Sequence, residues 1–232
     1  MRTAAEFVTS AATAADFPGD GLREVALVGR SNVGKSSLIN ALVRQRIART
    51  SGAPGKTRLA NIYRIARGSA APLYVVDLPG YGYARGDVNE LEAVTRAYFG
   101  RLGHIGRGQS APPDLAALLV VDARHPGLEK DIEAWRWLRS SVERFGIVAT
   151  KTDKLSRAER TRALKQLESV FESPVLPISA VTGEGLDELW TLIEHLANRN
   201  NNPAETTAPT RPSRPPTNPR RLPTKAPRPR RK

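Results

Sequence analysis

Apolar residues fall in short blocks along the first two hundred positions, and the blocks alternate between two patterns. Compact apolar or alternating runs at 22–28, 59–66, 72–77, 115–121, 145–149 and 174–178 predict strands. The run at 115–121 is apolar at nearly every position, the mark of a strand buried on both faces. Helical spacing appears at 36–48, at 88–102 (Leu91, Val94, Tyr98, Leu102), at 128–139 and at 186–198. A further helix runs to Phe171 from Ser156, with Glu159 three residues on as a capping box. Gly68-Ser69 joins the second and third strands as a hairpin. Strands alternating with helices after one hairpin predict a three-layer α/β domain. Its sheet is mostly parallel and six-stranded with one antiparallel edge strand, helices cover both faces, and the site lies at the strands' carboxyl ends. The chain then divides into an N-terminal arm over 1–21, ordered on contact, a domain over 22–199 and a tail over 200–232. The tail is rich in Pro and Arg and has almost no apolar residue, so burial cannot offset its ordering entropy; it is predicted to be disordered.

Composition narrows the function classes. Of 232 residues, 40% are hydrophobic and 25% charged, as in ordinary globular proteins. Cysteine is absent, which excludes disulfides, thiolate metal sites and cysteine nucleophiles. No uncharged apolar run approaches the roughly 20 residues of a membrane span. The first 20 residues lack the basic start and apolar core of a signal peptide, so a cytoplasmic protein without a membrane partner is expected, a monomer by default. The net charge of +13 is uneven: residues 203–232 hold nine Lys/Arg against one acid, which leaves +5 for 1–202. A polyanionic partner is suggested mainly by the tail.

The stretch Gly29-Arg30-Ser31-Asn32-Val33-Gly34-Lys35-Ser36 lies between a strand and a helix and has the G-x-x-x-x-G-K-[ST] form of a phosphate loop. Its glycines permit a tight turn that brings backbone N–H groups onto phosphate oxygens, and the following helix points its positive end at the same anion. Lys35 is expected to reach the terminal phosphates and the Ser36 hydroxyl to bind Mg²⁺. Four more elements follow in order. Gly55-Lys56-Thr57 lies in a polar loop, where a threonine can bind Mg²⁺ and sense the terminal phosphate. Asp77-Leu78-Pro79-Gly80 ends a strand; Asp77 is expected to hold the metal's shell through water, and the Gly80 N–H to meet the terminal phosphate. Lys35, Thr57 and Gly80 are therefore the candidate catalytic groups. Thr150-Lys151-Thr152-Asp153 ends another strand, and its aspartate can accept from guanine N1–H and the exocyclic amine, a donor pair that adenine lacks. Ile178-Ser179-Ala180 ends the next, where backbone N–H groups can meet the guanine oxygen.

Together these motifs resemble translation-factor-class GTPases and, more narrowly, the EngB family (also called YihA or YsxC). The specific parts are Tyr81-Gly82-Tyr83-Ala84 and Asp122-Ala123-Arg124-His125-Pro126, beside Ala48-Arg49-Thr50-Ser51 and Thr182-Gly183-Glu184-Gly185. The resemblance covers about 24–196. It implies a Mg²⁺-dependent GTPase that assists assembly of the large ribosomal subunit, through its rRNA and ribosomal protein, and is needed for normal cell division and septation. By the same resemblance GTP or GDP contacts Gly29–Ser36, then Gly55, Lys56, Thr57, Arg58 and Leu59, then Asp77–Gly80, Thr150–Asp153 and Ile178–Ala180, with Ser36 and Thr57 as metal ligands.

Ras-type enzymes orient water with a Gln just after Asp-x-x-Gly. Here that position is Tyr81, whose phenol, with a pKa near ~10, is no base at neutral pH, so slow hydrolysis is expected. Asn32 stands where related loops help to bind K⁺, or it merely stabilises the loop. Arg124 and His125 suit either loop packing or rRNA contact, and Trp135, Trp137 and Trp190 suit packing. A small-molecule kinase is disfavoured by the guanine-reading aspartate. A binding module with a structural nucleotide and a working basic tail remains the alternative.

Overall fold

The computed structural model describes residues 3–50, 59–81, 88–101 and 114–198, the first five residues of the 88–101 segment by backbone alone. Seven strands form one sheet in the order β1-β3-β4-β2-β5-β6-β7. They are β1 (Thr3–Ala11), β2 (Glu24–Gly29), β3 (Ala60–Arg67), β4 (Leu73–Asp77), β5 (Leu115–Asp122), β6 (Phe145–Thr150) and β7 (Val175–Pro177). Five helices accompany them: α1 (Lys35–Val43), α2 (Val88–Gly100), α3 (Glu129–Ser141), α4 (Arg157–Phe171) and α5 (Leu186–Ala197). The α/β architecture is the one expected. The strands from β4 to β7 pair in parallel, and β3 is antiparallel to both of its neighbours.

Two expectations need correction. The sheet has seven strands instead of six, and the extra one is supplied by the segment read as an arm over 1–21. Residues 3–11 pair antiparallel with β3 along its whole length, so the expected antiparallel edge strand is covered and stands second from the edge. The hydrophobic pattern concealed this strand because Ala11 alone of its residues is buried and apolar alternation is weak. It is held by the ladder itself, by Phe7 set edge-on to Tyr63 at 5.8 Å, and by Ser10 donating to Asn61 at 2.7 Å. The expected loop at 51–58, part of the glycine-rich loop after Asp77, and the tail at 200–232 lie outside the described residues.

The sheet has a core on each face. Along β5 the period of two sorts an entirely apolar run: Leu115, Ala117, Leu119 and Val121 pack with α2, α3 and α4, while Ala116, Leu118 and Val120 pack with α1 and α5. Trp135 and Trp190 are buried, one in each core, and Trp137 is partly exposed against Phe99. The capping box opens α4: the Ser156 hydroxyl accepts from the Glu159 N–H while Glu159 accepts from the Ser156 N–H.

After β1 the N-terminal segment makes a 3-10 turn and then places Phe17, 7% exposed, against Tyr98 of α2 at 5.0 Å between ring centroids. The Arg101 guanidinium lies 4.3 Å from the Phe17 centroid and 4.7 Å from that of Tyr98, and it holds the buried Glu24 with contacts of 3.1 and 2.5 Å. Phe17 therefore ties the segment to α2. Phe17→Ala removes a ring from a packed site beside a buried ion pair. The expected loss is about 3 kcal/mol, read by urea denaturation; a loss below about 1 kcal/mol would show that the segment is not part of the packed domain.

Candidate nucleotide site at the carboxyl ends of the strands

Four of the five motifs meet along one rim of the sheet, where β2, β4, β6 and β7 end. The phosphate loop runs from Gly29 to the start of α1. Gly34 has φ +112°, a left-handed conformation that glycine adopts without strain, and it turns the chain into the helix. Asn32 is also left-handed, with φ +60°.

The loop is braced on both sides. From β6, the Thr150 hydroxyl donates to the Val33 carbonyl at 2.7 Å and stands 3.0 Å from the Val121 carbonyl. Lys151, itself left-handed at φ +61°, donates through Nζ to the Asn32 carbonyl at 2.6 Å and to Asp122 at 2.9 Å. Asp122 ends β5 and also accepts from Arg124 Nε at 2.9 Å, Nη2 at 2.8 Å and N–H at 3.1 Å. Burial works against its charge, but the hydrogen bonds from Arg124 and Lys151 outweigh it and hold the carboxyl well below the usual range. The packing reading of Arg124 is thus the one the geometry carries.

On the other side, the Ser31 N–H donates to the Tyr81 carbonyl and the Ser31 hydroxyl to the Gly80 carbonyl, both at 3.0 Å. The two segments touch so closely that a Cβ at Gly80 would lie 2.6 Å from Ser31 N, so only glycine fits. Arg30 and Tyr81 then share one anchor. The buried Asp131 of α3 accepts from Arg30 Nε at 3.1 and 3.2 Å and from the Tyr81 hydroxyl at 2.9 Å. Burial raises the pKa of both Tyr81 and Asp131, opposed in each by Arg30. The Tyr81 ring packs against the core beside α3, so its hydroxyl is committed to Asp131.

The metal corner fits a hydrated Mg²⁺. The Ser36 hydroxyl donates to Asp77 Oδ2 at 2.6 Å, and Asp77 Oδ1 is buried with no hydrogen-bond partner among the described residues. Burial raises the Asp77 pKa, with Lys35 and Ser36 opposing it; a cation would supply what burial removes. Lys35 is buried and donates to the Gly29 carbonyl at 3.0 Å and the Arg30 carbonyl at 3.4 Å, and burial lowers its pKa. Leu78 is buried, with its N–H 3.3 Å from the Leu27 carbonyl, and Pro79 beside it is buried as well.

At the base-reading end the Ser179 hydroxyl donates to Asp153 Oδ1 at 2.8 Å, and Lys154 stands 3.5 Å from Oδ2. Thr152 is buried and donates its N–H to the Ile178 carbonyl at 3.4 Å, which joins this loop to Ile178, Ser179 and Ala180. Desolvation opposes the Asp153 charge, yet the hydrogen bond from Ser179 and its neighbours lowers the pKa, so the carboxylate is an acceptor at neutral pH. Leu59 is 40% exposed just before β3. Gly55, Lys56, Thr57 and Arg58 lie outside the described residues.

One carboxylate escaped the motif reading, Asp131 as the anchor of Arg30 and Tyr81, while Asp122 stood in a quoted motif without its part as the holder of Lys151. Asp131 stands in an acidic first turn, where charge is ordinarily solvated. The available signal was its spacing: it shares a helical face with the buried Trp135 and Leu138.

A family model described as 50S ribosome-binding GTPase matches residues 24–151. A probable GTP-binding protein EngB of Solibacter usitatus is 40% identical over 193 residues, covering 82% of this chain and 94% of its own. Another, of Chlorobaculum tepidum, is 41% identical over 195 residues, with 83% and 96% covered. The crystal structure of a probable GTP-binding protein engB superposes with a TM-score of 0.54 at 23% identity, over 75% of this chain and 98% of that one, and speaks to the fold.

Asp131→Ala would strand the Arg30 guanidinium and the Tyr81 hydroxyl together. The expected cost is about 3 kcal/mol in urea unfolding, because one partner of a buried pair is lost. Asp131→Asn, which keeps an acceptor for Tyr81, should cost less. Equal stability of all three proteins would remove Asp131 from the brace.

Proposed function

The chain belongs to the EngB family of GTP-binding proteins and is a GTPase, and from there we propose that it is a GTP-operated switch in assembly of the large ribosomal subunit, needed for normal cell division and septation. The observation that carries the switch reading is the double brace on the phosphate loop: Asn32 and Val33 are bonded to the base-reading loop, and Ser31 and Arg30 to Tyr81 and Asp131. A triphosphate seated on Gly29–Ser36 would compete for Lys35, Ser31 and Gly80, and so would be felt at Tyr81 and α3. The ribosomal part of the reading is supported by the description of the matching family as ribosome-binding, and by the basic charge of 203–232.

In this reading Asp153 accepts from the guanine edge, and Ile178, Ser179 and Ala180 present backbone to its oxygen. Ser36 and Thr57, with Asp77 through water, would hold Mg²⁺, and the ion would supply charge neutralisation at the phosphate oxygens. Lys35 carries the same load from the protein side, and Gly80 offers its N–H. Asn32 takes part in K⁺ binding beside the phosphates. With Tyr81 held by Asp131, the residue directly after Gly80 is not placed to orient water, so intrinsic turnover is slow. The place of action is the cytoplasm. Among the described residues no helix is long and apolar enough to cross a membrane.

The base assignment is checked at one atom pair. Asp153→Asn should weaken GTP at least about 100-fold by fluorescence titration and make xanthosine triphosphate the better ligand; unchanged GTP affinity would refute the assignment. The switch itself is checked by cosedimentation with large-subunit precursors in GDP and in a nonhydrolysable GTP analogue, at several salt concentrations. A difference of about tenfold or more is expected. Equal binding in both would favour the alternative, in which the nucleotide is structural and the basic tail does the binding.

A further inference from the structure

Between Val25 and Val76 the chain carries nine Lys/Arg and no Asp or Glu. The rest of 1–202 carries 18 Lys/Arg against 22 Asp/Glu, so the body's net +5 is a balance of +9 in this stretch against −4 elsewhere. Four of the nine are accounted for. Arg30 pairs with Asp131, Lys35 belongs to the phosphate loop, Arg64 pairs with Glu6, and Arg67 pairs with Asp187 and Glu194. Lys56 and Arg58 lie outside the described residues. The three that remain, Arg44, Arg46 and Arg49, are exposed and stand within six positions of one another. None has a carboxylate within ion-pair distance among the described residues.

Their support is fixed. The Asn40 side chain cinches the loop after α1, donating to the Ala48 carbonyl at 2.8 Å and accepting from the N–H groups of Ile47 at 2.9 Å and Ala48 at 2.8 Å. The Arg44 and Gln45 N–H groups close the helix end on the Ala41 and Asn40 carbonyls, each at 3.2 Å. Arg44 sits at φ +55°, so the chain turns sharply there and points successive arginines outward from a rigid base. Arg44 and Arg46 border a cleft of about 530 Å³ whose other walls include Ser37, Asn40, Gln45, Thr50 and Ala180.

Like charges held this close repel, and a polyanion relieves the repulsion. A guanidinium fork matches a phosphodiester in geometry. The walls offer hydroxyls and amides suited to ribose 2′-hydroxyls, and no large apolar side chain is exposed among residues 44–50 to enter a membrane. We infer that this arginine cleft binds the phosphodiester backbone of RNA, and that this RNA surface shares the Ala180 wall with the base-reading end of the nucleotide site. The inference rests on the ribosomal reading above and goes further by naming the surface.

The test uses the full chain, a labelled hairpin RNA, and separately vesicles of phosphatidylglycerol. Arg44→Glu with Arg46→Glu should lower RNA affinity about tenfold or more at 100 mM KCl. It should also flatten the slope of log affinity against log salt by about 1.4, the share of two phosphates. GDP affinity should stay unchanged, which reports an intact fold. Arg44→Gln with Arg46→Gln should move both quantities the same way by less. Undiminished RNA binding and an unchanged slope in both variants would overturn the surface, as would a loss confined to vesicles. If the unaltered chain binds no RNA in any nucleotide state, the ribosomal reading itself fails, and that outcome is distinct from failure of this surface.

Discussion

A loop that turns its N–H groups toward a ligand must find other partners for its carbonyls and side chains, because buried backbone polar groups left unpaired are costly. The loop Gly29–Ser36 meets this requirement by borrowing from three distant parts of the chain. The Asn32 and Val33 carbonyls take their donors from Lys151 and Thr150, and the Gly29 carbonyl from Lys35. Arg30 takes its acceptor from Asp131, while Ser31 is closed against Gly80 and Tyr81. Each net bond is worth only about 1 kcal/mol, but an orphaned partner at this site costs about 1–3 kcal/mol, so the bonds stand or fall together. The base-reading loop is thereby rigidly registered to the phosphate loop. It cannot shift without stranding the buried Val33 carbonyl.

The same borrowing explains where the buried charges lie. Glu24, Lys35, Asp77, Asp122 and Asp131 are buried, a number that would be ruinous if they were unpaired. Three of the carboxylates are answered by arginine: Glu24 by Arg101, Asp122 by Arg124 with Lys151, and Asp131 by Arg30. Asp77 is different. Among the described residues its side chain has one hydrogen bond, from Ser36 to one oxygen, and its other oxygen is buried without a partner. A carboxylate so placed is unfavourable in the protein alone and becomes favourable with the cation. That asymmetry marks it as a ligand-side group, where the other three serve the scaffold.

Much of this was legible in the pattern of the chain. Fully apolar residues 115–121 had to be a central strand, and the Ser156–Glu159 box had to start a helix, because in both cases local chemistry and the fold agree. Four motif segments were also found together at one rim, since each sits where a strand ends. What the pattern could not show was pairing at long range. The strand at residues 3–11 has one buried residue, Ala11, and owes its existence to β3, a partner some fifty residues away. Asp131 drew no reading, because its spacing to Trp135 and Leu138 places it on a buried face but does not say that Arg30 and Tyr81 meet it there. Propensity and periodicity describe a residue's neighbours in sequence; these residues are defined by neighbours in space.

That added strand also decides which parts of the domain a nucleotide signal can move. β3 begins at Ala60, directly after the segment that carries Thr57, and Ala60 is already paired with Ala11. The same N-terminal segment continues to Phe17, which packs on Tyr98 toward the far end of α2, the helix that follows the Asp77–Tyr81 stretch. A displacement starting just before β3 or at Asp77–Tyr81 therefore runs into structure held by residues 3–17. On the β3 side it would have to break ladder bonds, and on the α2 side it would have to separate Phe17, Tyr98 and Arg101. Both costs exceed what a single hydrogen bond to phosphate returns. The shorter path runs through Tyr81, whose hydroxyl donates to Asp131 of α3 and whose carbonyl accepts the Ser31 N–H. A switch built on this frame is steered to act through Tyr81 and α3, with the N-terminal strand as the fixed wall against which it moves.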